Sequence, residues 1–343
     1  MRHDTLSEVL RSIRLRGAVF FHMQGEAPWV IEAPPAGDIA STVMPGAEHV
    51  MAYHVVTRGA CWAAVVGSPP VRVEQGDIIV FARGDAHVLS SVPGMRASYT
   101  INPLLFPPQQ RPPFSVVVQG ESVSSADSDQ EDWPERTMLV CGFLGCDARP
   151  FNPLIGSLPR LLIVRAKDDA GDGWLAQFIR FAVSESSQKR PGGKAVLERM
   201  SELMFVDLLR EYIDGLAGEQ AGWLGGLRDR IVGRALALMH ERPAENWTID
   251  SLADMVGLSR SALHERFVQF TGQPPMQYLA SWRMQLAAGL LRESGAGLAA
   301  IALEVGYESA AAFSRAFKRA TGVPPAQWRR DNALDITNVE STS

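Results

Sequence analysis

Two clusters of hydrogen-bonding side chains recur at a fixed spacing in the last third of the sequence. Arg260, His264 and Glu265 form one. Ser314, Arg315 and Lys318, with the small Ala310 and Ala311 beside them, form the other. Guanidinium, imidazole, carboxylate, hydroxyl and ammonium groups on one helix face are the chemistry that contacts base edges and phosphates in a DNA groove. The flanks repeat as well. TGQPPMQY at 271–278 returns as TGVPPAQW at 321–328, Phe267 corresponds to Phe317, and Leu263 to Phe313. Upstream, Ala253 and Gly257 match Ala302 and Gly306 at an offset one residue shorter, so the second turn carries one extra residue.

Each copy has the layout of a helix-turn-helix. Small Ala253 and Ala302 let a second helix approach, Gly257 and Gly306 supply the turn, and Ser259 and Ser309 are natural N-caps. The recognition helices are expected at 260–270 and 310–320. Leu263/Phe267 and Phe313/Phe317 are i, i+4 pairs that turn one face of each inward and leave the polar face free. Pro275–Arg292 reads as one linking helix of about 17 residues, about 26 Å long. That length suits two reading heads set about one DNA turn, roughly 34 Å, apart in successive major grooves. A pair of helical hairpins packed for another purpose explains one copy, but not the recurrence.

The remainder must hold these heads. A chain of 343 residues exceeds one core and suits two domains. With 46% hydrophobic and 21% charged residues it reads as a soluble globular protein. No apolar run is long enough to cross a membrane. The charged N-terminus has no signal-peptide pattern, so a cytoplasmic protein is expected. The net charge of −5 is unevenly spread: residues 222–330 hold 13 Lys and Arg against 9 Asp and Glu, and the rest is acidic. A basic head on an acidic body fits a polyanionic partner.

Residues 1–16 read as a short amphipathic helix through Leu6, Val9, Leu10 and Ile13. Short β-prone runs then alternate with Gly and Pro: Ala18–Phe21, Ala52–Val56, Cys61–Val66, Val71–Val73, Ile78–Phe81 and Ser115–Val118. They predict a β-sandwich or barrel. The polar stretch 120–132 reads as a loop, and Met138–Phe143 as a further strand. Helices are expected at Trp174–Val183 and Lys194–Leu216, with a glycine-rich break over 215–226. Met200, Met204 and Phe205 give the second helix an apolar stripe that could pair two copies or pack on the barrel. The expected domains are 1–165 for sensing, 166–221 for a helical linker and dimerisation region, 222–330 for DNA binding, and 331–343 for an acidic tail, expected to be disordered.

The segments WTIDSLADMVGLSRSALHERF, TGQPPMQYLASWRMQLAAGLL and IALEVGYESAAAFSRAFKRATGVPPAQWR resemble the DNA-binding domain of the AraC/XylS family of transcription regulators. The resemblance implies two helix-turn-helix units on a linker helix, binding double-stranded promoter DNA, and a lean toward activation through RNA polymerase. Carried over by position, base-facing residues are Ser261, His264 and Glu265 in the first unit, and Ala310, Ala311, Ser314 and Arg315 in the second. Arg260, Arg266, Ser309, Lys318 and Arg319 would contact phosphates, with Ser259 at the matching N-cap. Glu265 stands where many members carry a base, and Ala310 and Ala311 offer only methyl contacts. The N-terminal half resembles the cupin-like domain of one branch of this family, through DTLSEVLRSIRLRGAVFF, YHVVTRGACW and GDIIVFARGDAHVLS. The fold class implied is α+β: a cupin-like β-barrel (jelly roll), then helices, then an all-α domain.

A metal cupin needs three histidines and a glutamate. Here the second motif keeps Gly76, Gly84 and His87, with Ala82 and Ser91 where the proline and asparagine stand. The first motif places Ala52 where its glutamate belongs, and Glu48 and His49 lie out of register. No metal or cofactor is therefore implied. The alternative of a cupin-type metal enzyme with a regulatory tail is disfavoured, and no catalytic residues are assigned. Two readings of His54 and His87 stay open: hydrogen-bonded barrel residues, or, with Tyr53 and Trp62, the lining of a small-molecule effector pocket. Three cysteines argue against a disulfide scaffold. Cys141 is either an inert core thiol or, with Cys146, a redox pair.

Overall fold

The structure, a computed structural model, describes residues 3–100, 113–125, 136–165, 177, 181, 184–185, 190–216 and 222–332. In chain order the first elements are α1 (Thr5–Ser12), β1 (Arg16–Ala33), α2 (Ala36–Val43), β2 (His49–Arg58), β3 (Ala60–Val65), β4 (Val71–Glu74), β5 (Ile78–Phe81) and β6 (His87–Ser90). Then come β7 (Phe114–Gly120), β8 (Ser122–Ser125), β9 (Thr137–Cys146), α3 (Pro153–Ser157), β10 (Leu162–Val164) and α4 (Gly193–Gly215). The helical remainder is α5 (Trp223–Arg228), α6 (Arg230–Glu241), α7 (Ile249–Val256), α8 (Arg260–Thr271), α9 (Pro275–Glu293), α10 (Leu298–Glu304), α11 (Ala310–Thr321) and α12 (Pro325–Asn332). No helix among the described residues is long and apolar enough to cross a membrane.

The described residues form two compact units, and the division is not the one expected from the sequence. Residues 14–147 and 158–215 make a sheet unit; 1–13, 148–157 and the chain from 216 onward make a helical unit. So α1 and α3 belong with the helix-turn-helix region, and α4 belongs with the sheet.

Strand β1 organises the sheet. It pairs antiparallel with β9 over Arg16–Gly25 and with β6 over Val30–Ala33, and parallel with β7 from Phe21. Its register shifts between Glu26 and Trp29. One long strand that changes partners along its length lets the sheet curl. The strand order is β10-β5-β2-β9-β1-β6-β3-β4, with β7 and β8 branching from β1. Met23, Trp29, Val56, Phe81, Leu89 and Val118 are among the buried residues inside the curl. Six of the seven runs read as strands lie wholly in strands, and the seventh, Cys61–Val66, does so up to Val65. Ser122–Ser125, read as loop, is strand β8; residues 126–132 of that acidic stretch, nearly all of the helix expected at 174–183, and residues 333–343 lie outside the described residues.

Helix α4 packs on β1, β9 and β10. Its Leu197, Met204, Phe205, Leu208 and Leu209 are buried there. The stripe weighed for self-association is thus largely covered within one chain, and Leu203, half exposed, is its main free member. Gly17 permits the close approach: a Cβ there would lie 2.8 Å from the Glu198 carbonyl and collide with Ser201.

The repeat is visible in the helical unit bond by bond. After α7 the turn closes with Leu258 N–H donating to Ala253 O at 3.0 Å; after α10, Tyr307 N–H donates to Ala302 O at 2.8 Å. Gly257 and Gly306 take φ of 77° and 81°, the left-handed conformation such a turn needs. Ser259 Oγ accepts from Ala262 N–H and Ser309 Oγ from Ala312 N–H, so each serine caps its recognition helix. The Thr-Gly pairs end those helices: Thr271 Oγ1 lies 2.9 Å from the Phe267 and Gln273 carbonyls, and Thr321 Oγ1 2.9 Å from those of Phe317 and Val323. Phe267 meets Tyr278 edge-on at 5.6 Å, and Phe317 meets Trp328 at 5.7 Å. Helix α9, 19 residues and about 28 Å long, joins the two halves.

Candidate nucleic-acid interface and sheet cavity

Burial sorts the side chains of α8 and α11 by face. On α8, Leu263, Phe267 and Phe270 are buried, while Arg260, Ser261, His264 and Glu265 are exposed. On α11, Phe313, Ala316 and Phe317 are buried; Ala311, Arg315, Lys318 and Arg319 are exposed, and Ala310 and Ser314 are half-buried. Each helix therefore presents one polar, partly basic face over an aromatic one, as the i, i+4 pairs require. Arg260 is 3.8 Å from Asp250, both exposed, a pairing that a phosphate could replace.

Arg266 departs from its expected role as a phosphate contact. Its guanidinium is held by the carboxylate of Asp229, 2.5 Å away, and it is only partly exposed. The reason is position: Arg266 precedes the buried Phe267 and lies over the N-terminus of α6, where Asp229 is the cap. Ser309, expected beside a phosphate, has its hydroxyl committed to the cap described above, as Ser259 has.

Residues that the sequence did not single out fix the frame of the two heads. Trp223 Nε1–H donates to Tyr278 Oη at 2.7 Å; Tyr278 and His240 Nε2 are 2.9 Å apart; His240 Nδ1 lies 3.0 Å from Glu8 Oε2. The ionised Glu8 carboxylate can only accept, so Nδ1 carries the one proton of the neutral imidazole and Nε2 is left to accept. Tyr278 donates to Nε2, and His240 donates from Nδ1 to Glu8. His240 also stacks on Trp282 with centroids 4.1 Å apart. Burial pushes its pKa down against the pull of Glu8, which keeps it neutral. On α9 the buried Gln285 accepts from Phe151 N–H and donates to Ser12 O. Helix α9 thus holds α1 and the 148–157 segment by polar bonds that sequence spacing could not reveal.

In the sheet unit, a cavity of about 750 Å³, part of it open to solvent, lies inside the curl. Phe21, Met23, Ile39, Val116 and Phe143 are among its lining residues, together with His54 and His87. Of the four residues expected to line an effector pocket, those two histidines do and Tyr53 and Trp62 do not. Successive strand residues face opposite ways. Ala52 and His54 of β2 line the cavity, so Tyr53 points outward, where its hydroxyl meets Ser201 Oγ of α4 at 2.7 Å. On β3, Cys61, Ala63 and Val65 are buried and Trp62 is on the other, half-exposed face.

His54 Nε2 and His87 Nε2 are 3.0 Å apart, and His87 Nδ1 is 3.1 Å from the Asp85 carbonyl. His87 also stacks on Phe81 at 3.8 Å. Burial drives the pKa of His87 down to about 4 and that of His54 well below its ordinary value, the neighbouring His87 adding to the latter. Among the described residues no three His, Cys, Asp or Glu side chains are grouped to hold a metal ion. His49, near the first cupin motif, bonds the Ala82 carbonyl at 2.8 Å.

Cys141 and Cys146 are not brought together. They are five residues apart on β9, which puts their side chains on opposite faces and about 17 Å apart. That exceeds disulfide reach. All three cysteines are buried and none is in a disulfide, and burial raises the Cys61 thiol to about 12 and the Cys141 thiol further. The redox pair expected from their nearness in sequence is therefore not a geometric pair.

Comparison with known proteins supplies a cupin family model matching residues 4–214 and a helix-turn-helix domain model matching 252–331. An AraC-like transcription regulator of Streptomyces lividans is 30% identical over 329 residues, spanning 95% of this chain and 98% of its own. The HTH-type transcriptional regulator AlkR of Acinetobacter baylyi is 25% identical over 96% of this chain and 100% of its own. Among solved structures, the DNA-binding domain of AdpA in complex with a target DNA is 29% identical, covers 30% of this chain and 92% of that one, and gives a TM-score of 0.29.

Proposed function

Since this chain belongs to the AraC-like transcription regulators with an N-terminal cupin domain, we propose that it reads promoter DNA with α8 and α11 in successive major grooves under control of a ligand in the sheet cavity. The observation that carries the DNA reading is the duplicated helix-turn-helix. Two recognition helices expose polar faces, share one core-forming pattern, and are tied by a single linking helix whose length approaches one DNA turn.

We read the sheet unit as a sensing module and not a catalyst. Its two cavity histidines bond each other and a backbone carbonyl, and the remaining lining is almost wholly apolar. In this reading the regulator acts in the cytoplasm as an activator, and ligand binding favours the DNA-competent arrangement only as far as its affinity for the two arrangements differs. Selection of bound sequences from a random DNA pool by the full-length protein tests the core of this. Two conserved half-elements about one helical turn apart are expected. A single short element, or enrichment without any consensus, would sink the two-headed reading.

A further inference from the structure

The hydrogen-bond roles inside the cavity can be assigned atom by atom. The Asp85 carbonyl can only accept, so His87 Nδ1 carries a proton and donates to it. His87 is neutral, which leaves its Nε2 as a lone pair. The partner 3.0 Å away, His54 Nε2, must then be the donor. A neutral His54 that donates from Nε2 has its lone pair on Nδ1. That atom is buried and has no hydrogen-bond partner among the described residues. Among the described residues, the two histidines are also the only lining ones with side-chain nitrogen or oxygen, and no lining side chain is a cation. The described lining is therefore apolar but for this histidine pair, and one of the two keeps an unanswered acceptor, a costly feature unless something reaches it.

We infer that the cavity binds a neutral, mainly apolar small molecule that carries one O–H or N–H group and donates it to His54 Nδ1. This rests on the effector-pocket reading above and narrows it to a ligand class. An anion is the wrong partner for a lone pair, and with both imidazoles neutral no charge opposes it. A pure hydrocarbon would fill the volume but leave Nδ1 unbonded. Phe81, stacked on His87 and edge-on to His54, holds the pair so that the acceptor keeps its direction.

Calorimetric titration of the full chain with 4-butylphenol, 4-butylanisole and 4-butylbenzoate at neutral pH tests this. The three share an apolar body and differ in whether the polar end donates, only accepts, or is charged. The phenol should bind at least about tenfold tighter than the ether, and the benzoate weakest. In His54→Leu the phenol-to-ether ratio should fall toward one while ether affinity changes by less than about threefold. If that variant does not fold, the wild-type series still decides, as does the ¹⁵N shift of His54 Nδ1, which should move on adding the phenol and stay on adding the ether. Equal affinity for phenol and ether would overturn the assigned acceptor and leave the effector pocket standing. Tightest binding of the benzoate would overturn the neutral class. Absence of binding by all three at millimolar concentration would overturn the pocket reading itself, and this inference with it.

Discussion

Arg266, in the middle of recognition helix α8, donates from both Nε and Nη2 to the carboxylate of Asp229, the N-cap of α6. The same carboxylate accepts from Ile231 N–H at 3.1 Å and Val232 N–H at 2.8 Å. One acidic group therefore fixes a helix start and the angle of a reading helix. Burial works to raise its pKa, but Arg266 and the two amides outweigh it and hold the carboxyl below its ordinary value. Asp229→Ala should lower stability by about 1–2 kcal/mol at pH 7. Arg266→Ala should cost less, about 0.5–1 kcal/mol, because the guanidinium is partly exposed. A lowered folded pKa stabilises above the unfolded value and loses that contribution as pH falls through the folded one. The Asp229→Ala deficit should therefore narrow below about pH 4. Urea midpoints at pH 7 and pH 3.5 check this; a deficit that does not change with pH would contradict the charged pairing.

Arg315 and Lys318, both exposed on α11, should fail differently. With Ala310 and Ala311 limited to methyl contacts, Arg315 is the side chain of this head able to make a bidentate contact with guanine. Arg315→Ala should cost about 1–3 kcal/mol on the selected site and relax preference at one position. Lys318→Ala should weaken all sequences alike and flatten the salt dependence. Gel shifts on specific and scrambled DNA separate the two. Equal losses on both DNAs for Arg315→Ala would remove it from the readers.

The helix-turn-helix pair was legible because its determinants are local. Ala253, Gly257 and Ser259 act within a few residues of themselves, and the copy at Ala302, Gly306 and Ser309 shows that they act together. The cavity was half legible. Strand alternation put His54 inside, but Tyr53, its neighbour, had to face the other way, and only the packing of α4 says what it meets there. The partners of Glu8, Gln285 and Asp229 were not legible. Each lies across a long stretch of chain or, for Asp229, on another helix, and residue type alone does not name a distant acceptor. That α1 falls in the helical unit was not legible for the same reason, since α1 is held by Glu8 and by the Ser12 carbonyl at its end.

Buried histidines should make the sheet unit acid-labile well above the carboxylate range. Burial lowers His22 and His87 each to about 4, and His54 well below its ordinary value. For each, the unfolded chain takes up a proton near pH 6.5 and the folded one does not, so stability present above that pH is lost as pH falls. The slope should reach up to about 1.4 kcal/mol per pH unit for every histidine kept neutral. Urea unfolding between pH 7.5 and 5.0 should show it, and His22→Gln should reduce it by up to one proton's worth. A flat profile down to pH 5 would mean that these imidazoles are hydrated.

The relay from Trp223 through Tyr278 and His240 to Glu8 should behave as one unit. Each member orients the next: the Glu8 carboxylate can only accept, so the neutral His240 donates from Nδ1 and accepts at Nε2 from the Tyr278 hydroxyl, which accepts in turn from the indole. Burial raises the Glu8 pKa, yet its bonds to His240 and His3 more than offset this and keep it ionised at neutral pH. Tyr278→Phe leaves a buried donor and a buried acceptor without partners, so it should cost about 2–4 kcal/mol, well beyond an exposed hydroxyl. Glu8→Ala should cost about 1–2 kcal/mol, softened by water, since Glu8 is only half-buried. Glu8→Gln keeps an acceptor and should cost less than either. Networks strengthen and fail cooperatively, so Glu8→Ala combined with Tyr278→Phe should fall short of the sum by about 0.5 kcal/mol or more. A double-mutant cycle by urea unfolding measures that shortfall. Simple additivity, or a Glu8→Ala variant as stable as the wild type, would show that α1 is not held to the reading heads by this chain of bonds.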